Sequence, residues 1–157
     1  MSQSDQPNAP LSDFLPYMLS VASNAVSSRI AEQYRSRFGL STTEWRIIAV
    51  LGDSGELTQR ELARLTLMDK VAVNRACGLL EKRAVVERAA NMQDRRSHHL
   101  RLTEEGRSIH ARIMPLARAI EAELFGSFDE GEREALRGLL DRVRRSAVAL
   151  DSSRLEG

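Results

Sequence analysis

The 157-residue sequence holds a single cysteine, Cys77, so no disulfide can form within the chain and a disulfide-stapled scaffold is excluded. Aromatic residues make up only 4% and glycine occurs nine times, which argues against a sheet-rich protein and makes helix the expected state. Long apolar runs are missing as well. Segments such as Ile47 to Leu51 fall far short of the roughly 20 residues that a membrane-spanning helix requires. No N-terminal stretch combines basic residues with an apolar core and a cleavage site, so a cytoplasmic location and no membrane partner are expected. Gly-rich phosphate loops, a Gly-x-Ser-x-Gly elbow and a convincing acid–base pair are all absent, as are Cys-x-x-Cys and His-Glu-x-x-His spacings. The expectation is a protein that is not an enzyme, with no catalytic residues, no cofactor and no metal site.

What is present is an ordinary soluble balance, 42% apolar and 29% charged, in a chain long enough for one compact domain with its own core. The net charge of +1 hides an asymmetry. Residues 1–58 carry four Lys and Arg against six Asp and Glu, residues 59–101 ten against five, and residues 102–157 nine against eleven. A basic centre between acidic flanks is the pattern expected when only the central part meets phosphate, where positive charge supplies most of the non-specific affinity.

Residues 1–11 are polar, with Pro7 and Pro10 and no apolar period, and read as a disordered arm. From there Phe14, Leu15, Met18, Leu19, Ala22, Val26, Ile30, Tyr34 and Phe38 recur every three or four residues on one face of a long helix that Gly39 ends. Ser41 and Glu44 have capping-box spacing and open a second helix, which the glycines of Gly52-Asp53-Ser54-Gly55 should break. Thr58 and Glu61 repeat the box before a short helix carrying Leu62, Ala63 and Leu65, and Asp69 can cap a fourth. That fourth helix, about Asp69 to Arg83, places Val73, Cys77 and Leu80 on one face and turns Val71, Asn74, Arg75, Gly78 and Lys82 away from it. Val85 to Arg88 and His99 to Leu102 read as strands joined by a basic tip. A long helix with Pro115 as an expected irregularity follows, and then a last helix capped by Asp129 with Leu136, Leu139, Leu140, Val143, Ala147 and Leu150 as its apolar face.

Two short helices followed at once by a basic hairpin have the order of a winged helix-turn-helix. The major groove of B-DNA admits one helix, so the reading helix must present small or polar side chains outward and turn its bulk to the core. Arg75 can bind guanine through two hydrogen bonds, Asn74 can pair with adenine, and Val71 can meet a thymine methyl. A tip arginine can enter the minor groove, where narrow stretches concentrate negative potential. The candidate DNA contacts are therefore Gln59, Arg60, Lys70, Val71, Asn74, Arg75, Lys82, Arg95 and Arg96, on double-stranded DNA. Cys77 falls on the core face without a second cysteine to resolve an oxidised thiol, and reads as a small buried residue. The apolar stripes of the first and last two helices exceed what one small winged domain can cover and so point to a homodimer. A winged helix that binds protein rather than DNA is the alternative.

The chain carries Asp94-Arg95-Arg96 followed by Leu102-Thr103-Glu104-Glu105-Gly106, and before them Leu80-Glu81-Lys82-Arg83 with Val86-Glu87-Arg88. In these runs the sequence resembles the MarR family of bacterial transcriptional regulators, with Ala84 standing where the family usually has glycine. The resemblance implies a mainly α fold with a β-hairpin wing: a winged helix-turn-helix over residues 40–102, with dimerisation helices at 12–38 and 103–157. It further implies that an Asp94–Arg96 pairing shapes the wing, and that the dimer binds a pseudo-palindromic operator as a repressor. A small aromatic or acidic compound, or its thioester, would release the DNA from a pocket drawing on the first, second and fifth helices, with Tyr17, Arg29, Trp45 and Arg46 as candidate contacts.

Overall fold

The computed structural model describes residues 10–90, 92–94 and 96–150. Most of the region read as a disordered arm, residues 1–9, lies outside them, while Leu11–Asp13 at its end form a single 3₁₀ turn. Six helices follow: α1 (Leu15–Phe38), α2 (Thr42–Ser54), α3 (Gln59–Thr66), α4 (Lys70–Lys82), α5 (Glu104–Phe125) and α6 (Glu130–Ala149). Three strands, β1 (Leu57–Thr58), β2 (Val86–Ala90) and β3 (His98–Leu102), pair antiparallel in the order β1-β3-β2. The fold is mainly helical with a small β wing, as the sequence indicates. The chain divides into two compact units, the first ending at Ala117 and the second starting at Arg118, both within α5.

Helix ends follow their local chemistry. Gly39 takes a left-handed φ of 62° after α1, where its N–H reaches back to the Arg35 carbonyl. The Ser41 and Glu44 side chains complete a capping box on α2, the Thr58 and Glu61 side chains another on α3, and Asp129 with Glu132 a third on α6. Asp69 caps α4 by accepting from the Ala72 N–H at 2.8 Å. Helix α2 ends at Ser54 with Gly55 as its cap, inside the expected Gly52–Gly55 break, and the His110 ring lies where a side chain at Gly52 would project. The fifth helix runs unbroken through Pro115, whose missing N–H leaves the carbonyl of the exposed Ala111 to water.

Within the first unit, Tyr34, Leu40, Ile47, Ile48, Leu62, Val73, Cys77, Leu80, Val85, Leu100 and Ile113 are almost wholly buried in one cluster. Each such side chain contributes roughly 1.5–3 kcal/mol of apolar burial. The cluster joins α1, α2 and α5 to α3, α4 and the sheet, so the helix-turn-helix and the wing share a single core. Tyr34 stacks on Trp45 with ring centroids 4.8 Å apart, and burial raises the Tyr34 pKa. In the second unit, Arg133 donates to the Phe125 carbonyl at 2.8 Å, and Phe125 meets Phe128 edge to face. The α6 residues Leu139, Leu140, Val143 and Val148 remain exposed there, as do Phe14, which precedes α1, and Leu15, Met18 and Val21 on α1 in the first unit.

Candidate nucleic-acid interface

The start of α3 is fixed by Glu61. Its Oε2 accepts from the Thr58 N–H at 2.8 Å and from the Thr58 hydroxyl at 2.9 Å, and these hydrogen bonds hold the carboxyl below the ordinary carboxylate range. Gln59 and Arg60 are the first two residues beyond this cap. The turn to α4 passes through Leu67, which takes a left-handed φ of 57° while its side chain stays 85% exposed. The Asp69 cap then starts α4 at Lys70.

Helix α4 separates its two faces by chemistry. Val73, Ala76, Cys77 and Leu80 are buried, and Val71, Asn74, Arg75 and Lys82 are exposed. Burial pushes the Cys77 thiol up to about 11, so at neutral pH it is protonated and packs as an apolar side chain. Gly78 looks into open space: a Cβ there would meet nothing within 4 Å. Gln59, Arg60, Lys70, Val71 and Asn74 line one groove of about 370 Å³ between α3 and α4. Val71 and Arg75 line a second, of about 480 Å³, shared with Ser41 and Thr43 at the start of α2. The structure therefore gathers six of the nine candidate contacts around the N-terminal half of α4. Lys82 lies seven residues beyond Arg75 on the same exposed side, about 10 Å further along the axis. The Gln59 amide nitrogen is buried in this wall with no hydrogen-bond partner.

The wing is held to α4 by Arg88, whose Nε donates to Glu81 at 2.8 Å. On the sheet, Arg101 bridges Glu87 at 2.7 Å and Glu56 at 3.1 Å, and these carboxylates raise its pKa. At the tip the Asp94 Oδ1 accepts from the Arg96 backbone N–H at 3.0 Å, and the Asp94 carbonyl accepts from Ser97. The contact between Asp94 and Arg96 thus runs through backbone and folds the turn. Arg95 lies outside the described residues. Arg96, Asp94 and His98 share a recess of about 620 Å³ with Thr58, Gln59 and Arg60, which brings the wing beside the start of α3. His99 lies 3.7 Å from Glu56, and no group of three metal-ligating side chains occurs among the described residues.

The four candidate ligand contacts are not all together. Trp45 and Arg46 adjoin, with the guanidinium 5.9 Å from the indole centroid, and Arg46 also reaches the Thr66 carbonyl at 3.5 Å and the Met68 sulfur at 3.4 Å. The Trp45 Nε1 is buried without a partner. Arg29 pairs with Glu32 at 3.5 Å. Tyr17 is exposed, 17 residues before the Tyr34 that stacks on Trp45, or about 25 Å along α1, so one chain cannot bring Tyr17 to the indole.

Sequence reasoning named Arg83, the residue that closes α4, only as part of a motif and missed what it holds. It donates to the Phe38 carbonyl at 3.1 Å, to the Gly39 carbonyl at 3.3 Å and to Glu44 at 3.5 Å. No local signal reveals partners about 40 residues away.

Residues 38–97, which run from the end of α1 through α2, α3, α4 and β2 and stop just before β3, match the MarR family model. The chain is 30% identical over 104 residues to the HTH-type transcriptional repressor NicR of Pseudomonas putida, with 66% of each chain covered. Among solved structures it is similar to a MarR/EmrR family transcriptional regulator from Acinetobacter sp. ADP1, with a TM-score of 0.83, 25% identity, and 90% of this chain and all of that one covered. BpsR of Bordetella bronchiseptica shares the fold at 23% identity, with a TM-score of 0.75 and 84% and 99% of the two chains covered. With an exposed polar face on the second helix of the motif, a paired wing and these relatives, the chain belongs to the MarR family of DNA-binding transcriptional regulators.

Proposed function

We propose that the protein is a homodimeric repressor that binds a pseudo-palindromic operator through α4 and the wing and is released by a small aromatic acid or its thioester. The observation that carries the reading is the division of α4: Val71, Asn74, Arg75 and Lys82 are exposed while Val73, Ala76, Cys77 and Leu80 are buried. On this reading Arg75 and Asn74 read base edges, Val71 meets a thymine methyl, and Gln59, Arg60, Lys70 and Lys82 meet phosphate. Arg96 and Arg95 serve the wing's contact with the minor groove, and Asp94 shapes its turn. Residues 40–102 form the DNA-binding region. The exposed apolar side chains within 12–38 and 103–157 meet a second copy, which places two reading helices about one DNA turn, roughly 34–36 Å, apart.

NicR is a transcriptional repressor, and BpsR is a protein whose DNA binding is regulated by 6-hydroxynicotinic acid. The first supports the repressor reading and the second an aromatic acid as the releasing compound. Trp45 and Arg46 offer an unpartnered indole N–H beside a cation, a pair able to hold a carboxylate or phenolate oxygen; Arg29, and Tyr17 from the second copy, complete the proposed site. The ligand acts by binding more tightly to a dimer whose reading helices are wrongly spaced for the operator. A regulator acting this way works in the cytoplasm.

The test is a mobility shift with DNA from upstream of the protein's own gene and its neighbours, repeated with 6-hydroxynicotinic acid, other aromatic acids and their thioesters. A retarded band that one compound class abolishes is the expected result. Absence of any shift at low salt would count against the reading.

A further inference from the structure

We infer that Arg83, which lies outside the DNA-reading face, is a positioning residue that sets the angle of α4 against α1 and thereby the half-site spacing the dimer accepts. The inference rests on the dimer reading above.

The last carbonyls of a helix have no partner within it and carry the negative end of its dipole. On α1 two of these, at Phe38 and Gly39, face the guanidinium of Arg83, with nitrogen–oxygen distances of 3.1 and 3.3 Å. The same guanidinium reaches Glu44 Oε2 at 3.5 Å, and Glu44 Oε1 accepts from the Ser41 N–H at 3.3 Å. Glu44 is the only buried charged residue among those described, at 7% exposure. A charge removed from water needs a charged or well-bonded partner, and Arg83 supplies it. One planar cation therefore ties three things together: the end of α1, the start of α2 and the end of α4.

This tie has leverage. Arg83 is the residue at which α4 stops, and the groups it grips belong to the turn by which α1 enters the winged region. A rotation of α4 about its contacts with the core would have to stretch these bonds. In a dimer joined through α1, the angle between α4 and α1 sets how far apart the two reading helices stand. A spacer longer or shorter by one base pair moves a half-site by about 3.4 Å. Lysine would not replace arginine fully, because a point charge on a flexible stem cannot address three acceptors in a fixed fork.

The test uses the full chain and DNA that the wild-type protein itself selects from a random pool, with copies of that site lengthened or shortened by one base pair at its centre. Arg83→Met, Arg83→Lys and Glu44→Gln are compared with wild type by fluorescence anisotropy, alongside light scattering and thermal melting. Wild type is expected to prefer the selected spacing at least tenfold. Arg83→Met and Glu44→Gln should remain dimers, bind random DNA within twofold of wild type with the same salt slope, and lose most of the spacing preference, with Arg83→Lys between. If Arg83→Met weakens random DNA equally and lowers the salt slope by about one, Arg83 is a phosphate contact and the inference fails. Full spacing preference in both variants also overturns it. Should Arg83→Met not fold, Glu44→Gln decides by the same readouts, since its amide oxygen still caps α2 but no longer offers a charge. A wild-type protein with no spacing preference instead overturns the dimer reading.

Discussion

Ala84 sits where the chain leaves α4 for the wing, at a φ of 54°, a conformation that costs an L-residue about 1–2 kcal/mol. Its surroundings prevent relief. The Ala84 N–H donates to the Glu81 carbonyl at 2.9 Å and its own carbonyl accepts from the Thr103 hydroxyl at 2.6 Å, so a return to negative φ would break both bonds. The methyl is exposed and contributes little packing. Replacing Ala84 by glycine removes the strain and adds back roughly 0.5–1 kcal/mol of unfolded-state entropy. The expected net gain is about 0.5–1 kcal/mol, or a rise of roughly 1–4 °C in melting temperature for a chain of this size. Urea denaturation at one fixed protein concentration should show a higher midpoint with an unchanged slope. Leu67→Gly, at a φ of 57° with a side chain 85% exposed, should behave the same way. A lowered midpoint for Ala84→Gly would refute the argument, since it would mean that the left-handed turn carries no strain to release.

The opposite outcome is expected at Gly106, where a Cβ would collide with the Val85 carbonyl that already accepts from the Thr103 N–H at 3.0 Å; Gly106→Ala should cost about 1–3 kcal/mol, measured by the same denaturation. Thr58→Ala should cost about 1 kcal/mol at neutral pH. Because the folded-state pKa of Glu61 is depressed by its Thr58 bonds, that stabilisation is fully present above the ordinary carboxylate value of 4.5 and is lost as pH falls through the lower folded value. The gap between Thr58→Ala and wild type should therefore narrow in acid; a constant gap down to pH 3 would contradict the assignment. Cys77, with its thiol pushed up to about 11, should resist a thiol-specific chromogenic reagent in the native protein at pH 8 and react only on unfolding. Rapid native labelling would refute its burial.

The elements that sequence makes legible are those whose cause is local. Ser41 with Glu44, Thr58 with Glu61, Asp69 and Asp129 mark helix starts because the hydrogen bonds that form the caps close within three residues. The inward Val73, Cys77 and Leu80 of α4 follow from helical spacing alone, and with them the outward Asn74 and Arg75. What escapes is set by distant partners. Strand β1 is two residues long and has no period of its own; it exists because Leu57 and Thr58 pair with Leu100 and His99. Glycine is required at position 52 because the ring of His110, 58 positions later, lies where a side chain would project. The grip of Arg83 on the end of α1 is of the same kind. The expected grouping of Tyr17 with Trp45 failed for one chain because helical spacing places residues on a common face without saying how far apart along it they lie.

The central claim is that the exposed face of α4 reads DNA sequence. The most direct measurement is an anisotropy titration of wild type and Arg75→Ala on self-selected and on random DNA. The account predicts a strong wild-type preference for selected DNA and, for Arg75→Ala, a loss of about 1–3 kcal/mol, roughly 5- to 150-fold, on selected DNA alone, with relaxed preference at one base position. Equal losses on both DNAs, or a wild-type protein that does not distinguish them, would contradict it.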